Sequence, residues 1–152
     1  MIQRIQSIYL VLAGLFPAFT FFVPLMRFTN STLNFDMSGI GYSAAEGTEI
    51  ASRHPYGLMV WAACTITISL IAIFGFKNRK KQMKQVKWGA VANVLWYIAF
   101  VAYALSVKSR TSTELGFEVG SLFPLLSLLL QFVAYRAIKH DDDLVKAADR
   151  IR

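Results

Sequence analysis

Four stretches of this chain carry no charged side chain, and they constrain its fold more than any other feature. Ile5 to Met26 is 22 residues long, Pro55 to Phe76 another 22, Trp88 to Val107 20, and Val119 to Tyr135 17. A helix rises about 1.5 Å per residue, so roughly 20 apolar residues cross the ~30 Å hydrocarbon layer of a bilayer. Three windows meet that length outright. The fourth does so once Ala137 and Ile138 are added, with Arg136 turning its guanidinium toward the headgroups. The first window follows a single basic residue, as a signal peptide would. Its run nevertheless exceeds the roughly 7–15 residues of a signal core, and no small-x-small cleavage site follows, so it is read as an uncleaved helix. Composition agrees: of 152 residues 55% are hydrophobic and 16% charged, and the mean hydropathy is +0.46. Soluble domains carry roughly 25% charge. The expected fold is all-α, an integral membrane four-helix transmembrane bundle forming one domain over 1–152, with spans at about 5–26, 55–76, 88–107 and 119–138.

The net charge of +7 is unevenly placed, and its placement predicts orientation. The loop 77–87 holds six cations (Lys77, Arg79, Lys80, Lys81, Lys84, Lys87) and no acid, the tail from Arg136 holds five, and the N-terminus adds Arg4. The outer loops, 27–54 and 108–118, hold four between them: Arg27, Arg53, Lys108 and Arg110. Basic residues collect on the cytoplasmic side of membrane proteins, so both termini and loop 77–87 are expected inside. Trp61 and Trp88 then fall near opposite interfaces. Beside two spans, the cations Lys77–Lys87 are expected to meet anionic lipid headgroups. No aromatic interleaving or recognition helix accompanies them, and no nucleic acid is expected as a partner.

Polar side chains inside the spans mark faces that turn inward, because an unpaired polar group is costly in lipid. Asn93 lies near the cytoplasmic end of the third span and Gln131 near that of the fourth, at almost equal depth. They are expected to form a polar pair inside the bundle. Thr65, Thr67, Ser69, Ser121 and Ser127 are read as helix-packing residues whose hydroxyls bond back to their own helices. Pro17, Pro24 and Pro124 predict kinks. Cys64, the one cysteine, is read as a packing residue. No Asp, Glu, Lys or Arg lies well within a window, which argues against proton-coupled transport, voltage sensing and intramembrane hydrolysis.

The first outer loop contains Asp36, Glu46, Glu49 and His54, whose spacing fits no metal-ligand pattern. Its glycines, in Met37 to Tyr42, suit a short hairpin or a single helical turn. The tail 141–152 reads as a short cytoplasmic amphipathic helix. Asp141 to Asp143 stand at its start, Arg150 and Arg152 at its end, and Leu144, Ala148 and Ile151 on one face. That face suits the membrane surface, the underside of the bundle or a partner, and three adjacent acids favour docking on loop 77–87 or on a partner.

Three stretches carry a family resemblance: Met1-Ile-Gln-Arg-Ile-Gln-Ser-Ile-Tyr-Leu10, Ile73-Phe-Gly-Phe-Lys-Asn-Arg-Lys-Lys-Gln82, and Asp142-Asp-Leu-Val-Lys-Ala-Ala-Asp-Arg-Ile-Arg152. Together they resemble the domain-of-unknown-function 4293 family of small bacterial membrane proteins, over essentially the whole chain. Lys146, Ala147 and Ile151 are conservative departures from the family's tail pattern. The resemblance implies four spans in the bacterial cytoplasmic (inner) membrane, and it implies no activity.

All three stretches lie on the side expected to be cytoplasmic. The first functional expectation is therefore a non-enzymatic small subunit or scaffold of a membrane complex. Its contact surface is expected at Gln3, Arg4, Gln6, Asn78, Arg79, Gln82, Asp149, Arg150 and Arg152, facing a membrane-protein partner. The alternative is a binder or carrier of lipid or another small hydrophobic molecule. A third reading is a membrane enzyme using Glu46, Glu49 and His54. No catalytic residue, cofactor site or metal site is assigned.

Overall fold

The computed structural model describes residues 2–31, 33–44 and 55–150. The chain is mostly helical, with helices α1 (Ile2–Phe19), α2 (Tyr56–Phe74), α3 (Arg79–Thr111) and α4 (Phe123–Arg150). Strands β1 (Met26–Thr29), β2 (Asn34–Met37), β3 (Tyr42–Ala44) and β4 (Glu114–Phe117) form one antiparallel sheet in the order β3-β2-β1-β4. Among the described residues, α2, α3 and the stretch Val119–Ala147 are long and apolar enough to cross a membrane. The apolar part of α1, Gln6–Phe19, is shorter.

Each helix packs on its neighbours in sequence, and α1 closes the ring against α4. The pairs run antiparallel. Gln6 of α1 meets Ala137 of α4 while Ala13 meets Ser127, and Asn93 of α3 meets Gln131 while Tyr97 meets Ser121. One end of the helices thus carries the sheet, and the other carries the N-terminus, the α2–α3 turn and the C-terminal part of α4.

The sheet departs from the all-α expectation. Its reason is a two-residue alternation: Met26 and Phe28 of β1, with Phe35 and Met37 of β2, point one way and are buried, while Arg27 and Thr29 point the other way and are exposed. The inner face packs on Leu58 and Ala62 of α2 and on Trp96, Phe100 and Ala104 of α3. Phe28 stacks on Phe35 at 5.0 Å, and Trp96 on Phe100 at 5.2 Å. Burying an aromatic of this size contributes roughly 1.5–3 kcal/mol. On the outer face Arg27 donates to both oxygens of Asp36, its cross-strand neighbour, at 2.8 and 3.3 Å. It also pairs with Glu118 at 3.3 Å. These carboxylates, the Asp36 hydrogen bond first, push the Arg27 pKa up. The face turned away from the helices is therefore polar.

Four expected boundaries shift, for a shared reason: a charge-free window marks what hydrocarbon tolerates, whereas helix ends follow backbone hydrogen bonding. The first window ran to Met26, but α1 stops at Phe19 in tight turns closed by Thr20 N–H to Pro17 O and Phe21 N–H to Ala18 O. Pro24 has no N–H and disfavours helix in the residue before it, so Val23 to Leu25 lead into β1 instead. The expected loop 77–87 is mostly helix: a 3-10 turn, Gly75–Lys77, leads to Asn78, whose side chain caps α3 by accepting from Lys81 N–H at 3.1 Å. Lys, Arg, Gln and Met are good helix formers, so α3 simply starts there. At its far end α3 continues to Thr111 and stops where Ser112 takes a left-handed conformation, φ 51°. The expected tail helix is not a separate element over the described residues, because α4 runs unbroken through Asp141 to Arg150.

Candidate functional site

Two apolar clusters fill the space between the helices. One lies under the sheet and includes Ala62, Trp96 and Phe100; the other lies toward the basic end and comprises Leu10, Ala72, Val86, Ala134 and Ile138. Between them in sequence stand Thr65 and Ser69 on α2 and Gly89 and Asn93 on α3, and these meet Ala13 and Gly14 of α1 and Ser127 and Gln131 of α4, all polar or very small. Ser69, Asn93, Ser127 and Gln131 are each at least 97% buried.

The hydrogen bonds of this layer have a direction. Ser127 Oγ donates to the Ala13 carbonyl at 2.5 Å, so it accepts from Asn93 Nδ2 at 3.1 Å. Asn93 Nδ2 also donates to Gln131 Oε1 at 3.2 Å. Because Asn93 must present its NH₂ group, Gln131 must present its oxygen, and Gln131 Nε2 is left buried without a partner among the described residues, as is Ser69 Oγ. Gln131 Nε2 lies over Gly89, where a Cβ would come within 2.9 Å of it. A Cβ on Gly14 would come within 3.3 Å of Ser69 Cβ. Glycine at both points lets helices approach closely, as small residues do where helices meet in membranes.

Thr65 bonds back to its own helix, donating to Trp61 O at 3.0 Å, as hydroxyls in such helices are expected to do. Ser127 instead reaches α1. Nothing in the sequence marks that partner, since it is a backbone carbonyl. Tyr97 likewise donates across to Ser121 O at 2.7 Å.

A second set of polar contacts closes the basic end. Gln6 Nε2 donates to Ala137 O at 3.2 Å, joining α1 to α4. Gln82 Nε2 donates to Ala72 O at 3.0 Å, joining α3 to α2. Both glutamines are buried, so neither belongs to an exposed contact surface. An amide in an apolar neighbourhood stabilises the fold by finding a carbonyl, and these two find one on a neighbouring helix. Arg79 Nη1 donates to Asp141 O at 3.1 Å, and its Nη2 lies 3.8 Å from Asp141 Oδ2. Arg79 therefore clasps the start of α3 to the far part of α4. Asn78 is exposed and occupied in capping α3. At the residue after the clasp, Asp142 pairs with Lys146, one turn further along α4. The Lys146 hydrogen bond, helped by the charges of Lys146, Lys80 and Arg79, holds the Asp142 carboxyl below its usual pKa.

The remaining residues proposed from sequence have no described side chains. Gln3 and Arg4 lie on α1 and Asp149 and Arg150 on α4, but their side chains are outside the described part, as is Arg152. Glu46, Glu49 and His54, the candidates for an enzyme, also lie outside the described residues.

The architecture is thus that of a mostly helical protein with, among the described residues, three helices long and apolar enough to cross a membrane, compatible with a membrane protein. A family model described as Domain of unknown function (DUF4293) matches residues 2–151. The chain belongs to that family, in keeping with the resemblance drawn from its three stretches. No curated protein matches it.

Proposed function

We propose that this protein is a four-span, non-enzymatic membrane protein with both termini in the cytoplasm, acting as a small rigid subunit or scaffold of a bacterial inner-membrane complex. The observation that carries this reading is the joined exit of α3 and α4 from their apolar stretches. α4 runs without a break to Arg150, and Arg79 clasps α3 to it at Asp141. The two helices leave the apolar zone as one arm. That arm exposes Leu144 and Val145 among Lys80, Lys81, Lys84, Asp143 and Lys146. α1 is counted as the fourth crossing because it meets α4 from Gln6 to Ala13. Its apolar part, Gln6–Phe19, rises about 21 Å, and the uncharged residues that follow it up to Met26 make up the remaining depth. Orientation rests on the positive-inside asymmetry, which puts the sheet outside. The exposed lysines at the start of α3 then lie level with anionic headgroups.

The contact surface is proposed at Asn78 and Arg79 with the exposed Leu144 and Val145, and the sequence extends the proposal to Gln3, Arg4, Asp149, Arg150 and Arg152. The test is purification of the tagged protein from its native membranes in mild detergent. A stoichiometric membrane-protein partner is expected, and Leu144→Glu with Val145→Glu should release it without lowering the amount in the membrane. Absence of any stoichiometric partner, or one indifferent to both substitutions, overturns the reading.

One observation favours a second reading, the binding of a small hydrophobic molecule carrying an oxygen acceptor. Gln131 Nε2 and Ser69 Oγ are buried donors without acceptors among the described residues, and such groups cost roughly 1–3 kcal/mol each.

A further inference from the structure

The sheet does not sit squarely on the helices. β4 is one of its edges, and the register places Phe117 opposite Met26 and Leu115 opposite Phe28. Residues directly opposite in an antiparallel pair put their side chains on the same face. Met26 and Phe28 are on the inner face and are buried, so Phe117 also points toward the helix side of the sheet. Leu115 packs against the core there, yet Phe117 is 75% exposed. Phe117 therefore overhangs the bundle, on the helix side of the sheet with none of the described residues covering it.

Other apolar residues share that corner. Backbone bonds from Glu118 N–H to Leu25 O and from Gly120 N–H to Pro24 O lay the chain after β4 against the chain after α1. Phe22, 78% exposed, stands on the first of these segments, and Val119 and Leu122 are exposed on the second. Phe123 continues the corner into α4, 5.5 Å from Phe19 of α1. From there the apolar surface runs on along Leu15, Val11 and Ile8 of α1 and Leu125, Leu126 and Leu129 of α4, all exposed. The one charge in the stretch, Glu118, is drawn to Arg27 on the opposite face.

We propose that this corner of the sheet is a lipid-contact site: Phe22, Phe117, Val119 and Leu122 are immersed in the bilayer interface on the sheet side, and the polar outer face stays in water. The occupant is phospholipid, because the patch is continuous with the apolar flanks of α1 and α4 and faces the same way. Phe and Leu are among the side chains that surface-seated elements bury at the boundary between headgroups and acyl chains. The proposal rests on the reading that the helices cross a membrane. It adds that the sheet is a cap seated on the bilayer, so a short α1 is completed by the apolar segment that follows it.

The test places nitroxide labels one at a time in the full chain with Cys64→Ala, reconstituted in phospholipid vesicles. Phe117→Cys probes the corner, Thr29→Cys the outer face and Leu129→Cys the flank of α4, and collision rates with oxygen and with a water-soluble nickel chelate are compared. Phe22→Cys repeats the corner measurement should Phe117→Cys not fold. The expected oxygen-to-nickel ratio at the corner is several-fold above that at Thr29→Cys and on the same side as Leu129→Cys. A corner label as open to nickel as Thr29→Cys, with Leu129→Cys shielded, overturns the proposal and leaves the membrane reading standing. Nickel access at all three positions overturns both. A corner shielded from oxygen and nickel alike shows a protein neighbour there and also overturns the proposal.

Discussion

Removing Asn93 should be costly, and removing its partner with it should restore part of the loss. Asn93 gives two hydrogen bonds, to Ser127 Oγ at 3.1 Å and to Gln131 Oε1 at 3.2 Å, from a side chain that is 1% exposed. Hydrogen bonds between membrane helices are worth about 0.6 kcal/mol on average and about 1.7 at most. Asn93→Leu, close to isosteric, therefore costs about 1–3 kcal/mol and leaves Gln131 with both ends of its amide unpaired. Gln131→Leu forfeits one of these bonds and removes a donor that had no partner, so it costs less, about 1 kcal/mol or below. In the double variant no orphaned amide remains, and Ser127 keeps its bond to Ala13 O. Replacing both partners by apolar groups is much milder than removing one. The double variant should thus be more stable than the sum of the single losses implies, by about 0.6–1.7 kcal/mol. Reversible unfolding in mixed micelles on titration with dodecyl sulfate, followed by circular dichroism, measures the three variants against the parent. Single losses that simply add, with no coupling outside error, would refute the hydrogen-bonded layer as a source of helix association.

Other consequences can be checked separately. A Cβ on Gly120 would stand 2.3 Å from the Pro24 carbonyl oxygen, whereas one on Gly116 would meet only ordinary contacts at 3.6 Å and beyond. Gly120→Ala should therefore cost roughly 1–3 kcal/mol in a detergent melt, the usual range for forced overpacking, and Gly116→Ala should stay much closer to the parent. Arg79→Met removes the clasp on Asp141, and hydrogen exchange of the α4 amides from Lys139 to Ala147 should accelerate several-fold while α2 is unchanged. The depressed pKa of Asp142 fixes a sign: its contribution to the arm is present above the ordinary aspartate range and is lost as pH falls through the lower folded value. Carboxyl titration by NMR should find Asp142 below a free aspartate and Lys146→Ala should move it back up.

The apolar zones were legible from charge alone because hydrocarbon excludes charge more strongly than any fold does. Helix ends were not, since a charge such as Lys80 or Lys84 marks where hydrocarbon stops and says nothing of where the backbone stops being helical. The sheet left only short traces. Met26-Arg-Phe-Thr and Leu33-Asn-Phe-Asp-Met-Ser alternate apolar and polar, which is a strand pattern. Each strand has four residues at most, though, and β1 finds its other partner, β4, across two intervening helices. The polar layer was half legible. Counting inward from charged flanks puts Asn93 and Gln131 at one depth, but Ala13 enters through its carbonyl, which every residue has. Gln6 and Gln82 looked like surface because they sit among charges. Their burial follows from which way each helix faces, and an interrupted pattern of glutamines does not reveal that.

The side of the membrane on which each end lies is the most direct measurement of the whole reading. In the Cys64→Ala background, Glu114→Cys on the sheet and Lys84→Cys on α3, both at exposed positions, are treated in spheroplasts with a membrane-impermeant maleimide. The expected result is labelling of Glu114→Cys in intact spheroplasts and of Lys84→Cys only after permeabilisation. Labelling of both from one side, or of Lys84→Cys alone from outside, would contradict a four-span protein with its sheet outside and its basic end within.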